Sequence, residues 1–254
     1  MQSVDSLIRF NVHCVLNQVE TKAAIEGLKT LEYVFVNTQS GESTHIRQES
    51  TEQSFGSLSV ELRPGAYDCI IVAHSSDDAA IENNTITFDK GSETFRGVES
   101  FELVPGDAPA IQVTLDRANT KLEVISADKL PQTAQTIELR VTNLSNALDL
   151  LTGKGGSTET IERRFTLRAS DVGKANLKFT ISAFTDDEQE SVLTIRTYDK
   201  NNTLMKETIS APFITRHNTI SRFTGYLFHT TSTPGLEITI NQDWNGEYEY
   251  ELPD

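Results

Sequence analysis

Ile8-Arg9-Phe10-Asn11-Val12-His13-Cys14-Val15-Leu16 places an apolar side chain at every second position from Ile8 to Leu16, with Arg9, Asn11 and His13 between them. In an extended chain successive side chains point to opposite faces, so this period buries one face of a sheet and wets the other. The same period returns in Leu58–Leu62, Ile111–Leu115, Ile137–Val141, Leu177–Ala183 and Leu236–Ile240. A slip of one residue would turn each apolar set to water, so register is well specified. Leu31–Val36 and Tyr67–Ala73 are apolar on both faces and read as central strands.

Turns punctuate these runs at Arg63-Pro64-Gly65, Pro105-Gly106-Asp107, Asp199-Lys200-Asn201-Asn202 and Asn245-Gly246. The last predicts a hairpin joining Leu236–Gln242 to Glu247–Leu252, because Asn-Gly accepts the positive φ angles of a tight primed turn. Helix signal is confined to two turns over Val19–Leu28 and single turns at Asp77–Glu82 and Ser170–Gly173. Too few helices separate the strands for a parallel α/β fold. The reading is an all-β chain of roughly fourteen strands, more than one sandwich of about seven to nine holds. It divides into antiparallel sandwich domains at 1–116 and 117–254, placed end to end with a short linker, and residues 151–158 form a flexible loop in the second.

The 254 residues are 37% apolar and 23% charged, with a formal net charge of −15. Residues 1–116 hold 18 acids and 7 bases, and the remainder 19 and 15. Nucleic-acid binding needs Lys and Arg to displace phosphate counterions, so this balance excludes it, and it argues equally against an anionic membrane surface. The acidity serves solubility or presents a face to a basic partner or cation. No run reaches the about 20 apolar residues of a membrane span, and no export signal opens the chain. Composition thus leaves a cytosolic chain or a trimmed, exported one. Cys14 and Cys69 read as two buried thiols, with a single disulfide as the alternative.

No catalytic constellation emerges, and the chain reads as non-enzymatic, with no cofactor and no metal site. His13, His45, His74, His217 and His229 lack partners at metal-ligand spacing, and the reading places them at the surface. Gly153-Lys154-Gly155-Gly156-Ser157 lacks the spacing and the following helix of a phosphate loop. Asp77-Asp78 and Asp186-Asp187-Glu188 read as solvated turns, with weak calcium binding as the sharper alternative. Asn83, Asn143 and Asn201 begin short glycosylation-acceptor patterns. Trp244, beside Tyr248 and Tyr250 in the terminal hairpin, is the candidate glycan-contact aromatic, with Tyr226 as a second place to look. The two hairpin tyrosines themselves are expected in the core.

Four segments carry a resemblance. Arg63-Pro64-Gly65-Ala66-Tyr67 leads into a central strand, and Thr94-Phe95-Arg96-Gly97 precedes closing strands. Leu115-Asp116-Arg117-Ala118-Asn119-Thr120-Lys121-Leu122 crosses between domains, and Asn218–Phe228, with Asn218-Thr219-Ile220-Ser221 followed by Thr224-Gly225-Tyr226-Leu227-Phe228, resembles an Asn-x-x-Thr … Thr-Gly-x-Leu-Phe strand. Together, in order and spacing, they resemble the fimbrillin superfamily of type V pili, above all its anchor, accessory and tip subunits. The resemblance implies two transthyretin-like sandwiches in a cell-adhesion protein of the fimbrium. It implies export as a lipoprotein whose precursor is lipid-anchored in the outer membrane, other pilus subunits as partners, and a host or microbial surface ligand. Assembly would be by donor-strand exchange, in which a neighbour's strand replaces the first strand, here Leu7–Leu16, after processing for which Arg9 is the candidate site. The chain holds no lipidated cysteine and little beyond Leu252, which favours an anchor or tip over a stalk subunit. The alternative reading is a surface glycan-binding sandwich.

Overall fold

The computed structural model describes residues 7–16, 27–106, 109–229 and 246–252. The chain forms two compact units, one of Met1–Ala80, Ser92–Ala118 and Leu150–Gly153, the other of Ile81–Gly91, Asn119–Asp149 and Lys154–Asp254.

In the first unit the strands are β1 (Ile8–Leu16), β2 (Thr30–Asn37), β3 (Ser43–Glu49), β4 (Ser57–Leu62), β5 (Gly65–His74), β8 (Thr94–Leu103) and β9 (Ala110–Arg117). They form one sheet in the order β3-β2-β5-β8-β9-β1-β4. This sheet folds over into two layers. Phe10 of β1 meets Phe35 of β2 edge-on at 5.9 Å and Phe101 of β8 at 5.3 Å. The core is the inner set that the alternation selects: Ile8, Phe10 and Val12 against Tyr33, Phe35, Cys69, Ile71, Val113 and Leu115. Leu31–Val36 and Cys69–Ala73 are buried on both faces. The close approach of β8 to β9 needs Gly97, where a Cβ would collide with the Thr114 carbonyl.

The outermost strands β3 and β4 are tied by one side chain. Gln48 accepts hydrogen bonds from the Tyr33 hydroxyl (3.1 Å) and the Gly56 amide (3.0 Å), and donates to the Ser54 and Ser57 carbonyls. All its polar capacity is met although it is buried, which is the condition for a polar group in a core.

The second unit stacks two four-stranded sheets. One has the order β14 (Lys178–Ala183), β10 (Thr120–Ser126), β19 (Thr219–Gly225), β20 (Gly246–Glu251), and the other β13 (Glu159–Thr166), β11 (Ala134–Leu144), β16 (Leu193–Asp199), β17 (Leu204–Ile209). Leu122, Val124, Phe179, Ile181 and Phe223 pack against Ile137, Leu139, Val141, Ile161 and Ile195. Three-residue strands complete it: β6 (Ala80–Glu82) and β7 (Thr85–Thr87) with β12 (Ala147–Asp149), and β15 (Gln189–Ser191) with β18 (Phe213–Thr215).

The architecture is all-β and sandwich-like, with differences from the expectations. Among the described residues β1 lies parallel to β9, β10 to β19, and β19 to β20. Asp77–Glu82 is a bend leading into β6, and the one turn of helix near residue 170 is a 3-10 turn, Ala169–Asp171. The expected helix over Val19–Leu28 lies almost wholly outside the described residues, as does the first arm of the terminal hairpin. Its second arm, β20, lies parallel beside β19. Residues 151–158 are not a free loop, because Asp149 donates to the Lys154 carbonyl (2.9 Å), Gly155 to that of Thr185 (3.0 Å) and Gly156 to that of Ala147 (2.8 Å).

Candidate functional site: the seat of the first strand

β1 is held on both sides. It runs antiparallel to β4 from Ile8↔Leu62 to His13↔Ser57, and parallel to β9 from Asn11↔Ala110 to Leu16↔Leu115. The two ladders are offset, so among the described residues β4 alone pairs with Ile8, Arg9 and Phe10. Ile8, Phe10 and Val12 point inward and are 7%, 2% and 0% exposed. At about 25 cal/mol per Å2 of apolar surface, burying three such side chains is the main force holding the strand.

At the far end of β1, Cys14 faces the Tyr33 hydroxyl, and burial raises its thiol pKa above the ordinary value. Cys69 is pushed up to about 12, chiefly by burial, and the Tyr33 hydroxyl is also raised by burial and the nearby thiols. Both cysteines are free, so no disulfide joins them, but only Cys69 is fully buried and Cys14 is half-buried. Kept protonated, such thiols are weak nucleophiles and behave as small hydrophobes.

On the outer face, Arg9 Nε donates to Glu61 Oε1 at 2.8 Å while the Arg9 side chain remains 74% exposed. An ion pair this exposed stabilises by about 1 kcal/mol or less. The Arg9 side chain is open to a protease, but its backbone lies inside a paired strand, opposite Glu61. His13 is exposed, its Nδ1 2.9 Å from the Ser57 hydroxyl.

His74 departs from the surface expectation. It is wholly buried, with Nε2 3.5 Å from Glu32. Glu32, 1% exposed, also meets His45 at 2.7 Å and Arg47 at 3.6 Å. Burial pushes the Glu32 carboxyl up, but hydrogen bonds from His74 and His45 and the Arg47 charge outweigh it and hold the pKa below the ordinary value. Sequence reasoning passed over this cluster. Its signal was a single acid inside an otherwise apolar run.

Asp128 was missed as well. Its carboxylate accepts the backbone N–H groups of Leu227, Phe228 and His229, each at 2.9 Å, and lies 3.0 Å from the His229 ring. Thr197 donates to the Leu227 carbonyl (2.9 Å) and Lys206 to that of His229 (3.1 Å), so neighbouring strands β16 and β17 grip this segment together with Asp128. No period marks Asp128, and nothing in its neighbourhood announces the role.

Trp244 lies outside the described residues. Tyr250 points into the core, stacked on Phe223 at 4.9 Å, while Tyr248, 38% exposed, lies under the Arg216 guanidinium at 4.9 Å. Tyr226 is half-buried. The acid clusters are matched by bases: Asp186 and Asp187 meet Lys154 at 3.1 and 3.0 Å, Glu188 meets Arg216 at 3.1 Å, and Asp77 meets Lys29 at 2.7 Å. Among the described residues no group of three His, Cys, Asp or Glu is placed to hold a metal ion.

No known family model matches this sequence, and no curated protein matches it. Solved structures do share its shape. A candidate adhesin from Bacteroides ovatus superposes with a TM-score of 0.57 at 12% identity, covering 79% of this chain and 77% of its own. A candidate polysaccharide-binding protein from Bacteroides thetaiotaomicron gives 0.58 at 11%, covering 79% of each. The fimbrial anchor protein Mfa2 from Porphyromonas gingivalis gives 0.52 at 13%, covering 80% of this chain and 82% of its own. The all-β, sandwich-like fold expected from the sequence is therefore the fold this chain has, shared with an adhesin candidate and a fimbrial anchor.

Proposed function

We propose that this chain is a structural, non-enzymatic subunit of a bacterial cell-surface pilus, serving as anchor, accessory or tip and supporting adhesion. The observation that carries the reading is the seat of β1: a first strand lying between β4 and β9, held by alternate apolar side chains, with Arg9 open on its outer face. Removing such a strand leaves two unpaired strand edges and an apolar trough, which a strand from a neighbouring subunit fills by main-chain pairing. Donor-strand exchange at β1 is the assembly mechanism this supports. Partners are other pilus subunits at the cell surface, with attachment to the outer membrane through a lipidated precursor.

The test is to mix the full chain with candidate stalk subunits before and after light Arg-specific proteolysis. Detergent- and heat-resistant ladders appearing only after cleavage at Arg9 are the expected result. An absence of any adduct before and after cleavage would refute the assembly reading. The second reading, glycan binding, is favoured by the fold shared with a polysaccharide-binding candidate. It predicts saturable quenching of the single Trp244 by a bound oligosaccharide, and a flat titration would remove it.

A further inference from the structure

At the end where β1 begins, the first unit opens into a cavity of about 730 Å3. Its apolar lining is Leu7, Leu62 and Tyr67, and Asn37, Glu42 and Arg63 bring polar groups to it. Leu62 is the residue opposite Ile8, so the cavity continues directly from the β1 seat. The Asn37 side-chain oxygen accepts the Gln39 and Ser40 amides at 3.0 and 2.9 Å, which fixes that wall as a turn. Gly65, at φ +153°, packs behind this wall, where a Cβ would stand 3.1 Å from the Asn37 amide nitrogen and 3.5 Å from the Tyr67 ring.

A strand that replaces another cannot enter an occupied seat. It needs a foothold beside the seat, from which its remaining residues compete at high effective concentration as the resident strand frays. Three features coincide at the Leu7 end. Leu7 is 58% exposed, the β9 ladder begins only at Asn11, and the cavity opens there. We propose that this cavity is the landing site where an extended segment of an incoming subunit docks before it displaces β1. This inference rests on the exchange reading and adds to it the point of first contact. The segment that fits sets an apolar residue over Leu62 and Tyr67 and a polar one toward Asn37 and Arg63.

The test uses the full chain after light Arg-specific proteolysis and two labelled peptides carrying the β1 sequence, a short one of Ile8–Leu16 and a long one of Ser3–Leu16. Incorporation is followed by fluorescence polarisation. The long peptide is expected to enter at least tenfold faster, and Arg63→Glu or Gln39→Trp, changes at exposed side chains that line the cavity, should bring its rate down to that of the short one. Equal rates for the two peptides, or a long-peptide rate that both substitutions leave unchanged, would overturn the landing site while exchange stood. Failure of either peptide to enter at all would take the exchange reading down with it.

Discussion

Phe10 touches both Phe35 of β2 and Phe101 of β8, and so bridges β1 to two other strands of the first unit. Truncation there removes transfer energy and leaves a cavity that packed neighbours cannot close. Phe10→Ala is expected to cost about 3–5 kcal/mol in urea unfolding, and to make β1 the first element to open. A variant within about 1 kcal/mol of the parent would show that β1 is not what holds this core. Glu32 gives a prediction in pH. Its pKa is lower in the folded chain than in the unfolded one, so the unfolded state takes up protons first as pH falls. The stability it contributes is complete above the unfolded carboxylate value and is lost as pH drops through the folded one. The advantage of the parent over Glu32→Gln in urea should therefore narrow below about pH 4, and an advantage constant from pH 7 to pH 3 would contradict the assignment.

At the scale of elements, β20 depends on one missing side chain. A Cβ at Gly225 would lie 2.9 Å from that of Leu252, so Gly225→Val is expected to lift the end of β20 from β19 and loosen the Tyr250–Phe223 stack. Amide hydrogen exchange over Gly246–Glu251 should accelerate at least tenfold, and unchanged exchange would mean that Leu252 repacks freely. The contrast between β1 and β20 also shows what alternation does and does not carry. The run Ile8–Leu16 announced a strand with one wet face, and the structure has it, with Arg9 outward as the period requires. Its position between β4 and β9, parallel to one and antiparallel to the other, lies in contacts about 50 and 100 residues away, which no local period encodes. The three-residue strands β6, β7, β12, β15 and β18 are too short to show a period. Glu32, His74 and Asp128 were illegible for a related reason: each is a polar residue whose burial depends on partners brought up by the fold.

For the whole molecule, the second unit draws Ile81–Gly91 from within the span of the first. There Ile86 of β7 lies opposite Leu148, and Phe88 packs on Phe184 at 5.3 Å. A fragment beginning at Arg117 leaves Leu148 and Phe184, both fully buried in the intact chain, without these covers. Its melting temperature should fall by several degrees, since each about 1 kcal/mol lost lowers Tm by roughly 2–8 °C in domains of this size. Adding a peptide of residues 81–91 should recover part of the loss. A fragment as stable as the intact chain would show that this segment is dispensable.

The seat of β1 has a mechanical consequence. A pull on the chain ahead of Leu7 runs along the length of β1, parallel to the strands on either side. Six residue pairs on the β4 side and six on the β9 side are then loaded together in shear, rather than peeled one after another. A strand seated this way yields to a lateral push at one end far more readily than to axial tension. Resistance to traction and ease of replacement can thus reside in the same strand.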